Sequence, residues 1–258
     1  MTNPSPVGRL LRHWRGTRRR SQLALALEAG VSARHLSFVE SGRAAPSPDM
    51  VLRLAATLDV PLRDRNALLL AAGYAPVYRE TDLAAPELAP ARRALELILQ
   101  HQEPFPAVVM NPRWDLVTTN RAAVRFFGMF VDLDRVPAPA NVLRLMFDPN
   151  GLKPFVVNWE EVAAGLLLRA RREAVGGVPS PETELLLAEV SAGLGLMPLG
   201  GEPAPFVPVR FRKGDLTLGF FSTVTTLGAP QDVTLQELRI ECFFPADPET
   251  EAAARRLA

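Results

Sequence analysis

The sequence predicts a two-domain α+β chain, an all-α N-terminal domain followed by a domain of short helices and an antiparallel sheet. Three observations predict it. Residues 1–72 carry apolar positions at helical spacing behind repeated serine and proline start signals, whereas 207–244 alternate like strands. Charge divides along the chain. Residues 1–80 hold 12 Arg, no Lys and 6 Asp plus Glu, about +6, and residues 81–258 hold 17 Lys plus Arg and 22 Asp plus Glu, about −5. A basic module joined to a mildly acidic one suits a nucleic-acid reader with a separate partner domain. At 258 residues there is material for one or two real cores. The expected limits are 1–72, a linker at 73–90 rich in proline, and 91–258.

The first helix is expected over about Val7–Arg18, with Leu10, Leu11 and Trp14 as its stripe. Ser21 caps a second helix in which Leu25 and Ala26 face inward. Gly30 supplies the positive φ of a tight turn, Val31 plugs the junction, and Ser32 caps a third helix whose buried face is Leu36 and Val39. Two short helices across such a turn have the layout of a DNA-binding helix-turn-helix. Ala33, Arg34, His35, Ser37 and Phe38 then face the major groove as base readers. Arg34 can bond guanine O6 and N7, worth ~1–3 kcal/mol of discrimination. Gln22, at a helix N-terminus, and Arg43, just past the third helix, are expected on phosphates. A fourth helix opens at Pro48, and a fifth runs from Pro61 to a stop at Gly73.

This region resembles the Xre/Cro repressors over roughly Val7–Ala72, on the SQ opening, the AGVS turn, the ESGR ending and the amphipathic helix after Pro48. The resemblance implies a five-helix, lambda-repressor-like domain that binds double-stranded operator DNA, probed by two copies of the chain, because one module reads a half-site. It also implies an ion pair between Arg15 and Glu40 that fixes the recognition helix against the first.

In the second domain an amphipathic helix is expected from Ala91 to about Gln102. Strand-like stretches follow at 105–110 and 114–119, with Asn120 capping the next helix. A short helix runs from Asn141 to Phe147, and a long one opens at Asn158 with Glu161 as its capping-box partner. A further helix is expected over about 181–194. Three strands are expected at 207–212, 216–226 and 233–244. No metal, cofactor or catalytic set is expected: the half holds one histidine, His101, one cysteine, Cys242, and no HExxH, GxSxG or CxxC. GLGLMP at 193–198 lacks the third glycine of a dinucleotide loop. A lone cysteine, no signal core and no apolar run of ~18–20 residues make the expectation a cytoplasmic protein that does not insert into a membrane.

Three stretches, RWDLVTTNRAAVRFFG, NVLRLMFDPNGLKPFVVNWEEVA and FFSTVTTLGAPQDVTLQELRIECFFPAD, resemble the MmyB-type ligand-binding domain. The resemblance implies a PAS-like fold with a five-stranded sheet, in bacterial regulators, and an interior that takes a fatty acid or another apolar small molecule. Trp114, Phe126, Phe130, Met146 and Trp159 are the pocket candidates, chosen on apolar character. The rival readings are a domain that masks a protein partner, as antitoxins do, and an acyl-ester hydrolase.

Overall fold

A computed structural model describes residues 5–175, 181–191 and 208–257. Its two compact units are Met1–Thr81 with Ala229–Gln236, and Asp82–Gly228 with Glu237–Ala258. Of the stretch expected as a linker, the part up to Thr81 therefore belongs to the helical unit. There Tyr74 Oη donates to Pro46 O at 3.1 Å, and Asn66 bonds the backbone of Val77 and Tyr78.

The helical unit holds α1 (Pro6–Thr17), α2 (Gln22–Glu28), α3 (Ala33–Glu40), α4 (Pro48–Thr57) and α5 (Leu62–Ala71). Four of the five open on a serine. The hydroxyls of Ser5, Ser21, Ser32 and Ser47 each accept the N–H three residues on. This satisfies one of the donors every helix start leaves over. The fifth start, Pro61, has no side chain able to do this. Leu11, Trp14, Leu25, Leu36, Val39, Leu54 and Leu68 close one core. Gly30 takes φ +62 in the α2–α3 turn. Gly8 is required for a different reason: a Cβ there would meet the carbonyl oxygens of Val39 at 2.7 Å and Glu40 at 2.8 Å. The chain closes α1 directly onto the end of α3.

The second unit begins with α6 (Ala89–His101). It continues through β1 (Ala107–Met110), β2 (Leu116–Thr119), α7 (Arg121–Gly128), α8 (Val142–Phe147), α9 (Trp159–Val175) and α10 (Pro181–Ser191). The last part is β3 (Val209–Lys213), β4 (Leu216–Thr225), β5 (Arg239–Pro245) and α12 (Pro248–Leu257), with α11 (Val233–Glu237) lying in the helical unit up to Gln236. The sheet is antiparallel in the order β2-β1-β5-β4-β3. Buried Asn120 fixes its start. Its Oδ1 accepts from Ala107 N and Ala123 N, and its Nδ2 donates to Phe105 O, so one residue caps α7 and ties it to β1.

Two expectations are corrected. The strand expected at 233–244 starts only at Arg239, because Asp232 Oδ1 accepts from Thr234 N and turns 233–237 into a helical turn. The strand expected from Trp114 starts at Leu116. Asn111 Oδ1 accepts from Arg113 N and Asp115 N, which wraps the chain into a turn with Trp114 at φ +66. The GLGLMP stretch and the end of the helix expected to 194 lie outside the described residues.

Candidate nucleic-acid interface and ligand cavity

The sequence-predicted base readers all lie on α3, but not at one depth. Arg34 and His35 are exposed, Ser37 and Phe38 are half-buried, and Ala33 packs partly on the core. Two guanidinium groups lie over the Phe38 ring, with the Arg34 carbon 5.4 Å and the Arg43 carbon 4.4 Å from its centre. Cation–π contact of this kind orients long side chains that would otherwise sample many rotamers. Arg43 Nε also donates to Ser41 Oγ at 3.0 Å. The result is a basic, aromatic-backed ridge along the outer face of α3.

At the end of α3 lies Glu40, fully buried. Arg15 donates to it twice, from Nε at 2.7 Å and Nη2 at 3.0 Å. Gln22 Nε2 donates a third bond at 2.8 Å. The Arg12 guanidinium stands 3.6 Å away and bonds the Glu40 carbonyl. Burial opposes the charge on Glu40, but the bonds from Arg15 and Gln22 and the charges of Arg15 and Arg12 outweigh it. They hold the carboxyl below the usual range. Gln22 is thus turned toward Glu40, with one amide hydrogen left for an outside acceptor such as a phosphate.

The second unit holds a cavity of about 190 Å³ lined by the sheet and the helices α7, α8 and α9. Val108 and Met110 of β1, Phe220 of β4, Phe243 of β5, Trp114 and Met146 give it apolar walls. Of the five pocket candidates, Trp114 and Met146 line it. Phe126, Phe130 and Trp159 do not. Phe126 meets Phe211 and Phe220 edge-on, each at 5.1 Å, and Phe130 lies tilted against Phe155 and Phe211, each at 5.3 Å. Trp159 lies edge-on to Phe147 at 4.9 Å, with Lys153 over its ring.

One wall is polar, and Arg169, Ser222 and Glu241 form it. Arg169 Nη1 donates to Glu241 Oε2 at 3.0 Å, and its Nε to Glu173 Oε1 at 3.0 Å. Glu173 in turn pairs with Arg239, and Glu241 accepts from Ser222 Oγ. The Arg169 guanidinium lies 4.6 Å over the Trp114 ring. Burial works against its charge, and Glu241 and Glu173 overcome that and keep it protonated. Its Nη2 is buried and makes no hydrogen bond among the described residues. The sequence carries a faint signal for this wall. Arg169 interrupts the stripe Val162, Leu166 and Ala170 on α9, and Glu241 interrupts the apolar strand IECFF. Cys242, next to it, is a buried thiol pushed up by burial and by Glu241, and so is held protonated.

Residues 91–257 match the family model for the MmyB-like transcription regulator ligand binding domain, and residues 11–64 match a helix-turn-helix model. Both are regulator types rather than enzyme families. Among the described residues no helix is long and apolar enough to cross a membrane. No curated protein matches the chain. Among solved structures, an RNA-binding Light-Oxygen-Voltage receptor aligns at 15% identity and TM-score 0.28, over 98% of this chain and 62% of the receptor.

Proposed function

This chain belongs to the MmyB-like transcription regulator ligand binding domain family, and from that premise we propose that it reads an operator as a homodimer and senses a fatty acid. It is a DNA-binding transcription regulator with a ligand-sensing domain. In the proposed complex α3 enters the major groove, with Arg34 on guanine and Phe38 against a thymine methyl. Ala33, His35 and Ser37 flank them, and Arg43 and the spare Gln22 amide hydrogen hold phosphate. A second copy doubles the contact, because one helix reads only a half-site. The lone, protonated Cys242 fits work in the cytoplasm.

One observation carries the ligand: the lining of an apolar cavity includes Arg169, whose buried guanidinium has one nitrogen, Nη2, without a hydrogen bond among the described residues. A buried donor left unmade is costly, and a carboxylate is the acceptor that matches a guanidinium best. The ligand is therefore an apolar chain with an acidic head. The volume, about 190 Å³, falls below the roughly 300–1,000 Å³ of pockets for drug-sized molecules. A medium-chain acid such as decanoate fits it better than a long one.

The test is binding to promoter fragments from the protein's own genome, at several salt concentrations, with and without decanoate. Sensing requires the ligand to bind the two DNA-affinity states differently. Coupling of ~1–3 kcal/mol shifts operator affinity about 5- to 150-fold. Identical curves remove the sensing half of the proposal. Silence on every fragment at low salt removes the operator half. Native mass spectrometry of the purified protein reads subunit count and any retained acid together.

A further inference from the structure

The connection between β4 and β5 is an unusual loop. Its residues 229–236 belong to the helical unit, although both strands it joins belong to the sheet. Three anchors hold it there. Gln236 Oε1 accepts the Leu62 N–H at 2.6 Å, at the first turn of α5. Asp232 accepts from Thr81 N at 3.2 Å and Thr81 Oγ1 at 2.6 Å. Val233 is 1% exposed, and its N–H donates to Arg79 O at 2.8 Å.

The Gln236 bond has a specific meaning. Among α1 to α5, α5 is the one whose start has no capping side chain of its own, because Pro61 stands there. A residue 174 positions later takes over the role. The α5 helix packs on α1 and α4, and α1 carries Arg15, which bonds Glu40 at the end of α3. At its other ends the same connection runs straight into cavity wall: Phe220 and Ser222 on β4, Glu241 and Phe243 on β5.

We propose that residues 229–236 are a clip that carries the state of the cavity into the helical unit, by strengthening or loosening the borrowed cap on α5. This rests on the reading of the cavity as a ligand site and names the route by which that site is regulated. A two-state element biased from one place and felt at another is what coupling physically requires. The clip supplies such an element: a hydrogen-bonded segment that the cavity strands can pull, ending on a helix start whose own N-cap residue, Pro61, offers no side-chain cap.

The test is amide hydrogen exchange on the full chain. Four proteins are compared: wild type, Glu241→Gln, the clip variant Asp232→Ala/Gln236→Ala, and the combination of all three changes. The clip variant is expected to raise exchange in the first turn of α5 by about 2- to 13-fold, the span of one net hydrogen bond, and to leave α2 and α3 as they were. Glu241→Gln, or decanoate on wild type, is expected to change α5 exchange by at least about 2-fold and to lose that effect once the clip is cut. If α5 answers the cavity change equally with the clip cut, or not at all with it intact, the clip is overturned. Should decanoate fail to bind, the ligand reading falls, and the Glu241→Gln arm decides the clip without it. If the double change unfolds the chain, Gln236→Ala alone replaces it, since it removes one acceptor and no buried side chain.

Discussion

Each unit buries a glutamate against an arginine, and the two pairs are built differently. Glu40 is closed: three hydrogen bonds reach its carboxylate, from Arg15 twice and from Gln22, and Arg12 adds charge. Glu241 is open: its partner Arg169, a lining residue of an apolar cavity, keeps an Nη2 without a hydrogen bond among the described residues. A closed network rigidifies and asks for nothing more; an open one is costly until something completes it. The contrast separates a strut from a site, though both are Arg–Glu pairs.

The largest effect that sharpens this contrast is at the strut. Glu40→Ala leaves Arg15 and Gln22 without their acceptor in a buried place, which costs ~3–5 kcal/mol. Thermal unfolding of the helical unit is expected to fall accordingly, while the ranking of operator bases among molecules still folded stays the same. An unchanged melting temperature would make Glu40 no strut at all.

Acid probes the same network without mutation. The folded state holds the Glu40 carboxyl below its ordinary range, so its contribution is complete above the unfolded value. It is lost as pH falls through the depressed folded value. The helical unit is therefore expected to lose stability on acidification below about pH 4–5, followed by far-UV circular dichroism in denaturant. Glu40→Gln, which cannot ionise, is expected to flatten that slope.

How much of this was legible in the sequence differs between the units for the same reason. Helix starts are local: Ser21, Ser32 and Asn120 each bond an amide three residues on, so a short window contains both partners. The cavity is not local. Arg169 and Glu241 are 72 positions apart, and Gln236 reaches Leu62 across 174. Apolar character marked Trp114 and Met146 but equally Phe126 and Phe130, and it cannot say which rings face a void and which lock onto one another. Residues 233–237 read as strand because Val233 and Leu235 alternate with polar neighbours. The buried face of Val233 serves the helical unit instead, and Asp232 bends the chain to put it there.

The open pair gives the next effect in size. Arg169→Gln keeps a donor but removes the charge that matches an acidic head. A hydrogen bond to a charged group is worth ~1.5–3 kcal/mol. Decanoate affinity is expected to fall by about 10- to 150-fold in calorimetric titration, and that of decanol, which has the same chain and no carboxylate, to change little. Equal losses for both would mean that Arg169 merely shapes the wall, and the distinction between strut and site would fail on that side.

The smallest effect lies at Arg43, which is between the two cases. Its Nε is spent on Ser41, and its guanidinium lies over Phe38, yet the side chain is exposed and takes part in none of the ion pairs among the described residues. A donor left over at the surface is worth little to stability, since surface contacts of this kind contribute a fraction of a kcal/mol. Its value is to a phosphate. Arg43→Ala is expected to weaken all fragments alike and to lower the slope of log affinity against log salt by about 0.9, the contribution of one neutralised phosphate. The order of preference among sequences stays fixed, because a phosphate contact positions the protein and does not read bases. If the variant instead melts early and keeps the full salt slope, Arg43 is a strut like Arg15. Phe38 would then owe its place to the fold and not to a duplex.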